Sequence, residues 1–167
     1  MAVQLIDDKP LALDTRLAIG KAEDPMAAQP VPIPSELPTE IQSLIDKVIG
    51  GFNNKDSALY NSAFEADAVV IDGIAPYRWT GSNAQARWLS DAEKWLHDFG
   101  VEKETLVCDK IVHSAVVGTY AYVVILATLS LTLNGGQSGS RQGILTFTFA
   151  KQSGEWKVGS QAWGRLS

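Results

Sequence analysis

The chain has 167 residues, a length that suits one domain of ordinary size, and 46% of them are hydrophobic, enough to fill a core. Its 14 basic and 19 acidic residues leave a formal charge of -5, and no long basic run stands out. That balance weighs against a phosphate-backbone surface, so no nucleic-acid partner is expected. Cys108 is the only cysteine, which excludes an internal disulfide, and with only His97 and His113 beside it neither a metal site nor a cofactor is expected.

The first residues, MAVQLIDDKPLALDTR, carry acids where a secretory signal needs a basic start and an apolar run, so a cytoplasmic location is expected. Residues 1–38 read as a proline-rich extension. The segment AEDPMAAQPVPIPSELP holds five of the seven prolines and no lasting periodicity, which fits either an arm across a partner or a mobile tail. A single domain is expected over residues 39–167. Thr39 and Gln42 have capping-box spacing, and Ile41, Leu44, Ile45, Val48, Ile49 and Phe52 make one helical stripe that NNKD breaks. A short helix over 56–64 follows, carrying Tyr60 and Phe64, and then a strand from Ala68 to Asp72. Ser82 and Gln85 repeat the capping-box spacing ahead of a helix with Trp88, Leu89, Ala92, Trp95, Leu96 and Phe99 on one face, which Gly100 stops.

After Gly100 the period becomes two. Strands are predicted near 101–114, 119–133, 141–151 and 155–164. Residues 113–134 hold no Asp, Glu, Lys or Arg, yet Thr128, Ser130 and Thr132 alternate with Leu129, Leu131 and Leu133, so a buried strand is expected here and no membrane span. Alternation puts Val123, Ile125 and Ala127 on an apolar face, and Tyr120, Tyr122 and Thr128 on a mixed face that either lines a cavity or meets a second subunit.

Three helices followed by an antiparallel sheet make an α+β domain. The layout resembles the nuclear transport factor 2-like superfamily, and within it the SnoaL-like and ketosteroid isomerase-like proteins. The resemblance rests on FEADAVVIDG…YRWTG over residues 64–81 and on the final strand SQAWG over 160–164, and it spans about residues 39–166. It implies a cone-shaped fold, with three N-terminal helices packed on a curved, mainly antiparallel sheet. It also implies an apolar pocket for a small hydrophobic molecule, and a homodimer built through the sheet. In ketosteroid isomerases the acid that ends the first strand is the general base, and Asp72 falls on that position. The positions of their two oxyanion donors fall near Val48 and Leu145, neither of which donates a hydrogen bond.

Asp72 has two readings. As a carboxylate at the rim of an apolar pocket it is a base for a carbon next to a carbonyl; before Gly73 it is equally an Asx-turn former. The oxyanion of such a reaction needs a donor. The candidates are Tyr60, Tyr120, Tyr122, His113 and the indoles of Trp79 and Trp163; Trp88 is expected in the core and as a pocket wall. His113 is either a dyad partner of Asp72 or a structural histidine, and Trp79 either closes the entrance or anchors its loop. The leading functional expectation is isomerisation, cyclisation or dehydration of a small hydrophobic carbonyl compound with Asp72 as base. The alternative is a non-catalytic ligand-binding or protein-assembly domain.

Overall fold

Helix α1 (Thr39–Asn53) buries the predicted stripe, with Ile41, Leu44, Ile45 and Val48 all 6% exposed or less. A second helix, α2 (Ser57–Ser62), is capped by Asp56, whose side chain accepts from the Leu59 N–H at 2.9 Å, and it drives Tyr60 wholly into the core. Next come β1 (Phe64–Ile71), the two-residue β2 (Arg78–Trp79) and α3 (Ala84–Asp98). Four long strands complete the fold: β3 (Val101–Val117), β4 (Tyr120–Leu133), β5 (Ser138–Gln152) and β6 (Glu155–Arg165). This computed structural model describes residues 37–166, so the proline-rich extension expected over 1–38 lies outside the described residues apart from Leu37 and Pro38.

Neither expected capping box forms. Pro38 holds the N-cap of α1 and its carbonyl takes the Gln42 N–H at 3.0 Å, which leaves Thr39 inside the helix. At α3 the N-cap is Asn83, in a left-handed conformation. Its N–H bonds to the Ala66 carbonyl of β1 at 3.1 Å and so carries the helix start past Ser82. Gly100 does stop α3 with φ +76, a value that a residue without Cβ adopts freely.

The six strands form one sheet in the order β2-β1-β6-β5-β4-β3. All neighbours run antiparallel except β1 and β6, which are parallel and bring Val70 opposite Gln161 and Ile71 opposite Ala162. The expectation of a cone with a curved sheet is corrected here: the sheet is open, neither closed nor strongly curled. Closure would need its two edges to pair, and a two-residue β2 offers no ladder for the seventeen-residue β3. The β3 edge is met instead by Asn53 of α1, whose side-chain amide donates to the Leu106 carbonyl at 2.8 Å and accepts from the Leu106 N–H at 2.7 Å.

The helices cover one face of the sheet. Ala121, Val123, Ile125 and Ala127 of β4 and Leu145, Phe147 and Phe149 of β5 are buried beneath them with Trp88, Leu89 and Phe64. Tyr120, Tyr122 and Val117 stand exposed on the opposite face. Among the described residues no helix is long and apolar enough to cross a membrane, and the uncharged run from His113 to Asn134 forms the end of β3 and all of β4.

Candidate functional site

The first strand delivers Asp72 to the edge of the helix-covered core, beside the last strand. There α1, α3 and the ends of β3 to β6 leave a cavity of about 210 Å³. Phe52, Trp88, Trp95 and Trp163 supply aromatic walls, with Leu106, Leu129, Leu131 and Leu145 between them. Its polar side chains are Asp72, Gln161, Arg141 and Arg165. The volume exceeds the ~150 Å³ that holds benzene and falls short of the ~300–1,000 Å³ of drug-sized sites. A ligand of one or two small rings is the natural size.

Both readings of Asp72 describe the same side chain. Its Oδ1 accepts from the Ile74 N–H at 3.1 Å, closing an Asx turn, while the carboxyl group lines the cavity. Burial pushes its pKa up from the usual carboxylate value. The Ile74 amide, the Trp88 indole and the Gly73 amide hold that rise in check. The Trp88 N–H is buried, and Asp72 is the acceptor nearest to it, without a hydrogen bond of ordinary geometry between them. An indole N–H that leans toward a carboxylate favours its charged form and turns it toward the cavity.

Gln161 is a cavity residue that periodicity does not single out. It is 4% exposed, and its Oε1 accepts from the Tyr60 hydroxyl at 3.2 Å. Burial, with the Asp72 charge adding to it, holds that phenol well above the ordinary tyrosine pKa, so Tyr60 stays a donor. With its oxygen committed, the Gln161 side chain has its two N–H donors left for the cavity. A Gln between Val158 and Trp163 on the inward side of β6 is the signal, but only the burial exposes it. Tyr60 therefore stands behind the cavity wall, stacked on Trp88 with ring centroids 5.7 Å apart.

The remaining candidates separate. Trp163 lines the cavity, and its ring fits because Gly143, diagonally across on β5, has no side chain: a Cβ there would sit 2.4 Å from the indole. Trp79 is 3% exposed and its indole donates to Asp91 at 2.7 Å, which ties the loop after β1 to α3 and leaves it out of the cavity wall. His113 is exposed on the outer face, its ring 5.9 Å from Tyr122, so the structure does not bring it to Asp72. Tyr120 and Tyr122 are 69% and 41% exposed on that same face. Trp95 and Phe99, expected on the core stripe, stack on each other at the open end of α3 instead, and Trp95 borders the cavity. Cys108 is pushed up to about 11 by burial and by Asp109 and Asp46, which makes it a poor nucleophile.

An inward acid on the strand that starts the sheet, facing an apolar cavity between helices and sheet, defines a class of small α+β pocket proteins. The chain belongs to the SnoaL-like domain family, whose model matches residues 41–162, and with it to the nuclear transport factor 2-like superfamily. No curated protein sequence matches it. Among solved structures, a hexachlorocyclohexane dehydrochlorinase from Novosphingobium barchaimii LL02 is 13% identical with a TM-score of 0.65, over 77% of this chain and 85% of that one. A candidate calcium/calmodulin-dependent protein kinase II association domain from Xanthomonas campestris is 15% identical with a TM-score of 0.63, over 81% and 93%. A nuclear transport factor 2-like protein from Salmonella enterica serovar Typhimurium LT2 is 18% identical with a TM-score of 0.58, over 77% and 89%. At these identities the likeness is one of fold.

Proposed function

We propose that this protein removes a proton from the carbon next to a carbonyl in a small hydrophobic compound, with Asp72 as the general base. The observation that carries the reading is the convergence of a partly desolvated carboxylate, the buried Trp88 N–H beside it and the Tyr60-oriented Gln161 amide on one apolar cavity. Asp72 takes the proton, and the electron pair moves onto the carbonyl oxygen. Gln161 and Trp88 donate to that oxygen as its charge grows, the role that Val48 and Leu145 are unable to fill. Returning the proton from Asp72 to a different carbon gives isomerisation; expelling a β-hydroxyl, which takes that proton and leaves as water, gives dehydration; and attack of the enolate on a second carbonyl of the same molecule, whose oxygen takes the proton, gives cyclisation. A dehydrochlorinase on the same fold supports base chemistry at carbon on such a scaffold.

The test is proton exchange. Small aryl and alkyl ketones are incubated with the protein in D2O, and α-deuteration is followed by NMR. Asp72→Asn is expected to slow exchange by roughly 10²–10⁴, with bound-ligand affinity retained. Exchange that is unchanged in Asp72→Asn sinks the base assignment and leaves ligand binding as the function.

The outer face supports a second element of the reading, a homodimer. Val117, Tyr120 and Tyr122 expose large apolar surface there, beside a shallow depression that includes Ala115 and Ala150. A second copy packed on this face would cover them. Sedimentation of the native chain against Tyr120→Glu is the check: a dimer that Tyr120→Glu converts to monomer is expected, and a monomeric native chain removes the proposal.

A further inference from the structure

Helix α3 sends two tryptophans to the cavity. Trp88 and Trp95 are seven positions apart on one face, about 10 Å along the helix axis, and Ala92 lies between them on the same lining. Trp88 marks the inner end, where it is buried beside Asp72. Trp95 marks the mouth, where it is 38% exposed. With only a methyl for a side chain, Ala92 keeps the wall low between the two indoles.

The two rings are held differently. Trp88 stacks with both Phe52 and Tyr60, at centroid separations of 6.2 and 5.7 Å, so what it offers a ligand is its N–H edge. Trp95 has one ring partner among the described residues, Phe99, with centroids 5.2 Å and planes 13° apart. That near-parallel pair covers one face of the Trp95 indole. Phe99 is itself 55% exposed, so the pair adds little to the core and instead fixes the plane of an indole at the cavity mouth. An aromatic pair this open in the free chain gains by burial when a ligand covers its remaining face.

We infer that Trp95 is a stacking platform that selects the ligand, and that the ligand is a two-ring aryl ketone. Its carbonyl lies at Gln161 and Asp72, its first ring fills the cavity over Trp163 and Leu145, and its second ring lies on Trp95 with Phe99 behind. The cavity of about 210 Å³ takes one ring in full, as a ~150 Å³ cavity takes benzene, and leaves the second to the mouth. A biaryl carried in line with the carbonyl has the reach that α3 sets between Asp72 and Trp95. This deepens the proposed reaction and rests on Asp72 and Gln161 being the reacting end, but the platform is testable without any reaction.

The probes are 4-acetylbiphenyl and 4-cyclohexylacetophenone, which share the acetyl group, the first ring and the reach, and differ in whether the second ring has a π face. Binding is read by equilibrium dialysis. A cyclohexyl ring buries at least as much apolar surface, so burial alone favours it or leaves the two equal. Stacking is expected to reverse that order, with the native protein binding the biphenyl about three- to tenfold more tightly. Trp95→Leu, which keeps an apolar side chain and removes the platform, is expected to abolish the preference, and Trp95→Phe to keep most of it. Asp72→Asn is expected to keep the preference and to lose α-deuteration of the acetyl group. Equal or weaker binding of the biphenyl by the native protein, a preference that survives Trp95→Leu, or no binding of the biphenyl up to its solubility limit each overturns the platform. A preference for the biphenyl without α-deuteration in the native protein supports the platform and counts against the base reading alone.

Discussion

On the helix-covered face of the sheet, Tyr60 and Gln161 are 0% and 4% exposed and hold each other by one hydrogen bond; on the opposite face, Tyr120 and Tyr122 stand 69% and 41% exposed. The residue types overlap, but the surroundings differ. On the covered face a polar group keeps its partners fixed and its electrostatics unscreened, because water is excluded. On the open face the same hydroxyl is in contact with solvent, which gives it no fixed orientation. A candidate donor is therefore worth what its face makes of it.

Truncating the two tyrosines gives the largest contrast. Tyr60→Ala removes a fully buried ring and leaves Gln161 without its orienting donor; a loss of about 3–5 kcal/mol in urea unfolding is expected. Tyr120→Ala is expected to change the stability of the single chain by only about 0.5 kcal/mol. Similar losses at both positions would mean that the outer face is as ordered as the core, and would strengthen the case for a covered dimer face.

A smaller effect belongs to the cavity floor. Gly143→Ala places a methyl against the Trp163 ring, and it is expected to cost about 1–3 kcal/mol and to shrink the cavity. Ligand titration separates this from a global defect: affinity is expected to fall while the far-UV spectrum stays native. Unchanged affinity would mean that Trp163 is not a wall the ligand feels.

The smallest effect is the one most specific to the covered face. Burial raises the Asp72 pKa, so the folded state holds that proton more tightly than the unfolded chain. The stabilisation from the protonated form is present in full below the unfolded value of ~3.9 and is lost as pH rises through the higher folded value. Asp72→Asn, neutral at every pH, is expected to match the native protein in acid and to exceed its stability near neutral pH, as read by denaturant midpoints at both. No gain at neutral pH would mean that the carboxylate sits in water and not in the cavity. The same raised pKa predicts that α-deuteration increases with pH as Asp72 ionises.

The amino-acid sequence by itself determined the local features. The α1 stripe, the Gly100 stop, the alternation along 120–133 and the acid at the end of the first strand were all legible, because each depends on neighbours within a turn or two. The two capping boxes show where local pattern stops. Thr39 and Ser82 had the right spacing, yet Pro38 and an Asn83 bonded to β1 took the caps. Only the tertiary structure decided which polar residues share the cavity. Tyr60 and Gln161 are 101 residues apart, and Leu145 and Trp163 come together through the register of β5 with β6. The same holds for the open sheet, which depends on strand edges that fail to meet, and for His113 and Trp79, whose directions were settled by the bulged β3–β4 pairing and by Asp91. Periodicity reports which side a residue faces within its own element; what lies across from that side is a property of pairings between distant segments.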